Sequence, residues 1–146
     1  MLKKILATAL AAAMIFGMAS MAFASSFSDT AGVANEKAIV KLASLGVLGG
    51  YPDGSFKPLG NITRAEFAAV VVRSLGYESS AVLLTGAPAF SDCADAQWAW
   101  GYINVATSQG IIKGYPEGTF APNANVTVAE AVTMLVRALG RDKQAI

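Results

Sequence analysis

The sequence predicts a mainly α protein in which tandem helix–loop–helix repeats form a small helical bundle. Residues 50–66 read GYPDGSFKPLGNITRAE and residues 114–130 read GYPEGTFAPNANVTVAE, with 10 of 17 positions identical. After each stretch, apolar residues recur at the spacing of one helix face. A repeated unit of this size is typical of repeat architectures, in which each unit buries its apolar face against a neighbour.

The repeat extends beyond these two stretches and sets the domain boundaries. Phe27-Ser28-Asp29 returns as Phe90-Ser91-Asp92, and Leu75-Gly76 returns as Leu139-Gly140. We therefore predict repeat 1 at residues 27–76, a linker at 77–89, repeat 2 at 90–140 and a C-terminal tail at 141–146. The linker contains turn residues and an apolar patch at residues 82–84, which we expect to pack against a repeat.

Each unit is predicted to contain two helices, and each helix ends at a glycine. On its apolar face the first helix carries Ala38, Ile39, Leu42 and Leu45 in repeat 1, and Trp98, Tyr102, Ile103 and Ala106 in repeat 2. The second helix carries Ala68, Val71, Val72 and Leu75 in repeat 1, and Val132, Leu135, Val136 and Leu139 in repeat 2. We expect all four faces to be buried.

The second helix of each unit starts with a capping box. Thr63 precedes Glu66, and Thr127 precedes Glu130, each by three positions. In such a box the threonine caps the helix and the glutamate reaches back to the threonine N–H. Both threonines also complete an N-x-T glycosylation sequon, but capping explains the two glutamates as well.

The loop between the helices is dominated by turn residues. Residues 52–54 read Pro-Asp-Gly and residues 116–118 read Pro-Glu-Gly, where proline presets φ and glycine supplies a positive φ. Phe56 and Phe120 follow these turns, and we expect both to fill the core between the helices. Most of the repeated text is therefore explained by the fold alone.

The first 24 residues resemble a secretory signal peptide. Lys3 and Lys4 precede an apolar run, and Ala22-Phe23-Ala24 matches a cleavage site. A membrane anchor is the alternative, but the run is shorter than the roughly 20 apolar residues that span a bilayer. We therefore expect no membrane association after signal cleavage.

Charge and composition exclude several functional classes. Removing the two leader lysines takes the net charge from +1 to −1, whereas a nucleic-acid-binding protein carries a basic surface. The chain has no histidine, and no serine, cysteine or lysine has a visible base nearby. We predict no enzyme activity, no cofactor and no metal site. The single cysteine, Cys93, matches Thr30 of repeat 1 and is interpreted as a small tolerated residue rather than an interchain bridge or lipid attachment.

Arg64 is the candidate functional residue that breaks a local rule. It is the first residue of a helix, where the helix dipole disfavours a cation, and repeat 2 has Val128 at this position. Free N–H groups at a helix start and a guanidinium beside them suit a carboxylate ligand. The alternative is that Arg64 pairs with Asp29, Asp53 or Asp92, or reaches solvent.

Aromatic residues give the second class of candidates. Trp98 and Trp100 lie two positions apart, so they cannot share a helix face, and one of them is available to stack on a sugar ring. Packing of both into the core or linker is the alternative. Tyr51 and Tyr115, each before its turn, allow the same two interpretations.

The repeated motifs resemble the S-layer homology domain. The similar residues are Phe27-Ser28-Asp29, the stretch from Gly50 to Pro58, and Ile62-Thr63-Arg64-Ala65-Glu66-Phe67, and the resemblance covers both repeats. It implies two helices and a loop per unit, with three units usually packed around a pseudo-threefold axis. Two departures are that residues 127–130 read Thr-Val-Ala-Glu and that only two units are found.

The resemblance implies a secreted, non-catalytic module at the bacterial cell wall or S-layer. Its partner would be a secondary cell-wall polymer or a peptidoglycan-linked glycan, often bound through a pyruvylated sugar in a groove between units. Arg64 matches the arginine that recurrently contacts this ligand, and we add Asp29, Asp92 and Trp98 as further candidates. The alternatives are a self-associating structural subunit, which would be a homo-oligomer, and a truncated N-terminal part of a larger surface protein. Asp29 and Asp92 also have a simpler interpretation as cap or turn residues.

Overall fold

The structure is a computed structural model that describes residues 27–141. In chain order its helices are α1 Glu36–Ser44, α2 Arg64–Ser74, α3 Glu78–Leu83, a 3-10 helix Ala94–Ala99, α4 Trp100–Ser108 and α5 Val128–Ala138. Extended pairing within the described residues is limited to one isolated antiparallel bridge between Thr63 and Asn125. The predicted mainly α fold is confirmed. The predicted signal peptide and residues 142–146 of the predicted tail lie outside the described residues.

The loop of each unit is held by the aspartate of its Phe-Ser-Asp motif. The Asp29 carboxylate accepts hydrogen bonds from the N–H groups of residues 56 and 57, at 2.8 and 2.7 Å. Asp92 does the same for residues 120 and 121, at 2.9 and 2.7 Å. The second residue of each pair is not glycine but has a positive φ, of 58° and 54°. The aspartate therefore stabilises a strained turn, which explains why the motif recurs.

The hydrophobic core lies between the two units. Helix α2 of repeat 1 packs against α4 and α5 of repeat 2. The largest fully buried side chains are Phe120, Ile103, Ile111, Val72 and Cys93. Phe120 thus fills the core as predicted, whereas Phe56 is only half-buried against the Phe27 ring. The buried position of Cys93 agrees with its interpretation as a small core residue.

Two of the four predicted helix faces are not buried. On α1 only Ile39 is buried, while Leu42 and Leu45 are exposed. On α5 the predicted positions Val132, Leu135 and Leu139 are exposed, and Met134 is buried instead. These predictions were wrong because each helix face needs a neighbouring unit. Repeat 2 covers α2 and repeat 1 covers α4, but no described unit precedes α1 or follows α5.

The linker contains a helix that the sequence did not predict. Ala81 of α3 is buried against α4, where an added side chain on Gly101 would lie 1.8 Å from the Ala81 carbonyl oxygen. The side chains of residues 82–84 are exposed, so the prediction that this patch packs on a repeat was wrong. The Asn104 amide instead ties down the linker by donating to the carbonyls of Leu84 and Gly86.

Candidate functional site: the groove between the repeats

The start of α2 is fully occupied by protein groups. Its capping box forms as predicted, with Thr63 Oγ1 accepting from the Glu66 N–H at 3.2 Å. The Arg64 and Ala65 N–H groups donate to the carbonyls of Ala124 and Pro122 in repeat 2, at 2.9 and 3.0 Å. The predicted free anion site at this helix start is therefore absent. The capping box of α5, formed by Thr127 and Glu130, is also confirmed.

The Arg64 side chain is buried between the units, with 4% of its surface exposed. Its Nε donates to the Phe120 carbonyl oxygen at 2.7 Å, and Nη1 lies 2.7 Å from Oε1 of Glu130. The guanidinium carbon lies 4.7 and 4.8 Å from the ring centres of Tyr115 and Phe120. The partner of Arg64 is therefore Glu130, and neither solvent nor Asp29, Asp53 or Asp92 as considered from the sequence. Glu130 lies closest because the packing of the repeats places the start of α5 beside the start of α2.

Glu130 is held in its ionised form by several donors. The Tyr115 hydroxyl, the Thr127 N–H and hydroxyl, and the Arg64 guanidinium lower the pKa of Glu130 from 4.5 to about 2. The same hydrogen bond to Glu130 raises the pKa of Tyr115. The ion pair between Arg64 and Glu130 therefore persists through the neutral range and fixes the position of α5 relative to α2.

An open groove of about 190 Å³ is lined by both residues of this ion pair, Arg64 and Glu130. Its lining also includes Tyr115 and two further cations that were not selected from the sequence, Lys113 and Arg137. Lys113 is exposed, and Arg137 donates to the Ile111 carbonyl oxygen at 3.3 Å. Lys113 directly precedes the second Gly-Tyr-Pro motif, but Arg137 lies 24 positions further along the chain, so no local spacing links the two.

The matched surface of repeat 1 has a different charge arrangement. Gly49 stands where repeat 2 has Lys113. Arg73, which matches Arg137, donates to the Glu78 carboxylate at 3.0 Å and to the Tyr102 hydroxyl at 2.6 Å. Its charge therefore stabilises the packing of the linker helix. Of the two units in the described chain, repeat 2 is the one that presents a basic groove.

The two tryptophans have different environments. Trp98 lies in the 3-10 helix with 56% of its surface exposed, so its predicted place on a buried helix face was wrong. It lines a second groove of about 180 Å³ together with Tyr102. Trp100 is half-buried against the core, and its indole N–H donates to the Cys93 carbonyl oxygen at 2.8 Å. This agrees with the interpretation in which one tryptophan is core and the other remains available to a ligand.

The predicted binding residues do not gather at one place. Asp92 lies beside Arg64, since Asp92 accepts from the Phe120 N–H while Arg64 donates to the Phe120 carbonyl oxygen. Asp29 holds the loop of repeat 1, and the hydrogen bond from the Phe56 N–H lowers the pKa of Asp29. Trp98 belongs to the second groove. Both aspartates thus have a structural role, and ligand binding by Asp29, Asp92 and Trp98 stays a prediction.

Within residues 27–141, no group of three or more His, Cys, Asp or Glu side chains is placed to hold a metal ion. None of the helices in this part of the chain combines the length and apolar character required to cross a membrane.

Comparison with known proteins identifies relatives at the bacterial surface. The chain is 42% identical over 142 residues to a surface layer protein of Brevibacillus choshinensis, and 40% identical over 144 residues to a middle cell wall protein of Brevibacillus brevis. Each match covers 95% of this chain, which spans 13% and 14% of those two proteins. A cellulosome-anchoring protein of Acetivibrio thermocellus is 40% identical over 92 residues, covering 63% of this chain and 21% of that protein. No solved structure matches the chain.

The family assignment follows from a match to both repeats. The S-layer homology domain family matches residues 26–68 and 89–132, which correspond to the first helix, loop and second-helix start of each unit. Together with the surface-protein relatives, this match confirms the predicted location at the cell surface. The chain therefore belongs to the S-layer homology domain family and carries two copies of the domain.

Proposed function

We propose that this chain is a non-catalytic anchoring module that binds an anionic secondary cell-wall glycan in the groove that repeat 2 forms beside Arg64. The observation that carries the proposal is the combination of Lys113, Arg137 and the Tyr115 ring along one groove that Arg64 also lines. The family assignment supports it, as do relatives whose names describe surface-layer and cellulosome-anchoring proteins.

The groove has the chemistry that an acidic sugar requires. Lysine and arginine side chains bind a carboxylate through charge-assisted hydrogen bonds, and arginine makes two parallel bonds to it. A tyrosine ring offers an apolar face for the sugar ring, together with a hydroxyl. A pyruvyl ketal places a carboxylate directly on a sugar, so a pyruvylated glycan is the ligand class that we propose.

Arg64 has an indirect role in this proposal. Its guanidinium is already paired with Glu130 and 4% exposed, so its free hydrogen-bonding capacity is small. It compensates the negative charge of Glu130 and packs against the Tyr115 ring in the groove, whereas Lys113 makes the direct contact with the glycan. Trp98 would contribute as a stacking surface in the second groove, for a glycan long enough to reach both.

Binding to purified cell-wall sacculi tests the proposal. We expect the protein to sediment with sacculi that carry the pyruvylated polymer and to stay in solution with sacculi that lack it. Lys113→Glu should weaken binding at least tenfold, because it places a negative charge in the groove. Lys37→Glu, an identical charge change on the exposed surface of α1, is the matched control. Equal binding by the two variants would exclude the groove as the site.

A second arm of the experiment addresses the aromatic groove. Trp98→Ala should weaken binding of long polymer more than binding of a single pyruvylated sugar. If both ligands bind Trp98→Ala and wild type alike, Trp98 has no role in recognition. Equal sedimentation with both kinds of sacculi would contradict the proposed glycan itself.

A second candidate function is a structural subunit that packs against further units. The observation that favours it is an apolar stripe on α5, formed by Val128, Val132, Leu135 and Leu139, all exposed. A contiguous apolar surface of this kind is typical of an interaction face. Sedimentation velocity across a range of concentrations tests whether copies of the chain associate, and a constant monomer mass would exclude it.

A further inference from the structure

The second groove, which lies between the linker helix α3 and the start of α4, has an uncharged lining. Its volume is about 180 Å³, and its polar side chains come from Thr85 and Gln97, beside the rings of Trp98 and Tyr102. Among residues 27–141, no acidic or basic side chain lines it, in contrast to the groove beside Arg64. Such a lining cannot compensate the solvation that a charged ligand would lose, so it favours a neutral ligand.

Trp98 forms one wall of this groove, and the repeat fold does not require it. Repeat 1 has no aromatic residue between Asp29 and Tyr51, although it forms the same loop. Trp98 is 56% exposed, and within residues 27–141 no protein acceptor receives its indole N–H, whereas the indole N–H of Trp100 donates to the chain. The exposed ring and the N–H of Trp98 are therefore both available to a ligand.

The Tyr102 ring supports Trp98 and is itself fixed. The two ring centres lie 6.4 Å apart, with the planes tilted by 56°. The Tyr102 hydroxyl donates to Oε1 of Glu78 and accepts from Nη2 of Arg73, each at 2.6 Å. Arg73 and Glu78 also pair with each other, so their charges are compensated. The aromatic part of the groove is therefore preformed, which lowers the entropy cost of binding.

The remaining groups of the groove match the chemistry of a sugar. Thr85 and Gln97 are exposed on its walls. A hydroxyl and a side-chain amide each provide a donor and an acceptor, and a sugar hydroxyl takes both roles. The apolar face of a sugar ring packs against an aromatic ring, as a flat ligand does. An indole beside two neutral hydrogen-bonding side chains thus fits an uncharged sugar.

We propose that this groove is a binding site for an uncharged sugar, one neutral ring of a glycan, which stacks on Trp98 and exchanges hydrogen bonds with Gln97 and Thr85. A protein partner is the less favoured occupant, because the groove is smaller than the roughly 300 Å³ at which pockets for drug-sized ligands begin. The inference does not depend on the proposed binding of an acidic glycan, since the two grooves share no lining residue.

NMR titration of the wild-type protein tests the proposal. The probes are chitotetraose and cellotetraose, which are uncharged tetrasaccharides with and without acetamido groups. We expect at least one of them to shift the indole N–H signal of Trp98 and the side-chain amide signals of Gln97. The indole N–H signal of Trp100, which donates to the Cys93 carbonyl oxygen, should stay in place. If neither sugar shifts the Trp98 signal, the proposal is overturned and a protein partner becomes the favoured occupant.

Three variants locate the interaction. Trp98→Ala should weaken binding at least tenfold, because an aromatic anchor carries much of the binding energy of a small site, and Trp98→Tyr should retain most of it. Leu83→Ala is the matched control, since it removes an exposed apolar side chain of the same linker that does not line the groove. It should bind as wild type does. Equal weakening by Leu83→Ala and Trp98→Ala would overturn the proposal.

Charge separates this site from the groove beside Arg64. Binding of the neutral sugar should be equal at low and at high salt, because its lining has no charge for salt to screen. A free pyruvylated sugar should not compete, and competition would overturn the proposal by placing both ligands in one groove. Circular dichroism confirms that each variant is folded. Sedimentation of Lys113→Glu with sacculi tests the acidic-glycan proposal separately.

Discussion

Arg64 shows how a locally unfavourable residue is stabilised by its surroundings. A cation at the first position of a helix opposes the helix dipole, at a cost of about 0.3–1 kcal/mol on a surface. Here the cation instead contacts a carboxylate, a carbonyl oxygen and two aromatic rings from the other repeat. We expect these contacts to outweigh the dipole term, which gives Arg64 a structural role in joining the two repeats.

The first prediction removes this cation. Arg64→Met should reduce the free energy of unfolding by about 2–3 kcal/mol, because it leaves Glu130 unpaired at a largely buried position. Urea denaturation measures the change. Arg64→Met combined with Glu130→Gln should recover part of the loss, since glutamine keeps the capping box but carries no charge. This account would be contradicted if the double variant lost more free energy of unfolding than the two single variants lose when their losses are added.

The second prediction concerns the aspartate that holds the loop of repeat 2. Asp92→Ala removes the acceptor for two N–H groups and releases a strained turn beside the buried Phe120. We expect a loss of about 2 kcal/mol in the free energy of unfolding, in the range for hydrogen bonds to charged groups. Asp29→Ala is the matched control in repeat 1 and should cost less, because its loop is more exposed. Equal losses from the two variants would argue against this explanation.

At the scale of elements, the close contact between α3 and α4 decides where the linker lies. Gly101 lets the Ala81 backbone approach α4 more closely than any side chain would allow. The Asn104 amide and the pair of Arg73 with Glu78 then hold the two ends of the linker segment. The linker is therefore a packed element and not a flexible tether.

The third prediction places a methyl group in this contact. Gly101→Ala should destabilise the fold by about 1–3 kcal/mol, because α3 must move away, and this outweighs the better helix propensity of alanine. In a Trp100→Phe background, in which Trp98 is the only tryptophan, its fluorescence reports the movement, since Trp98 and Ala81 line the same groove. Gly86→Ala is the control, because an added side chain there meets open space. A shift in the unfolding midpoint without a change in Trp98 fluorescence would place the effect elsewhere.

At the scale of the whole molecule, one carboxylate makes the stability of the contact between the two repeats depend on pH. The folded-state pKa of Glu130 is about 2, lowered from 4.5 by Tyr115, Thr127 and Arg64. A group with a lowered folded-state pKa contributes stability above its unfolded-state value and loses it as the pH falls through the folded-state value. The interface between the repeats should therefore weaken between about pH 4.5 and about pH 2.

The fourth prediction follows from this direction. Wild-type protein should be less stable at pH 2.5 than at pH 6, with about 1–2 kcal/mol of the difference due to Glu130 after allowance for solvent screening. Urea midpoints at the two pH values measure it. Glu130→Gln should show a smaller difference, although Asp29, Asp53 and Asp92, whose pKa values are also lowered, keep part of it. An unchanged pH dependence in Glu130→Gln would show that this residue does not couple the units.

Particular residues show how far the sequence predicted the fold and the site. The predictions that rest on local chemistry are confirmed. Both capping boxes, the turns and the buried face of α2 at Ala68, Val71 and Val72 are present. Helix periodicity failed at α1 and α5, because a period shows which residues share a face but not whether a neighbour covers it. Lys113 and Arg137 were missed, since they become a site only when the second Gly-Tyr-Pro loop lies against α5.

The sequence by itself determined the repeat, the caps, the loop chemistry and the family of this protein, because these depend on residues close together in the chain. Tertiary structure alone decided the partner of Arg64, which lies 66 positions away at Glu130, and the occupation of the helix start by the Ala124 and Pro122 carbonyls. Contacts between repeats have no signature in local spacing, since their geometry depends on how two complete units pack. In the sequence, Arg64 and Val128 differ only as two residues at matching positions. In the structure, Arg64 is buried in the contact between the repeats, whereas Val128 is exposed.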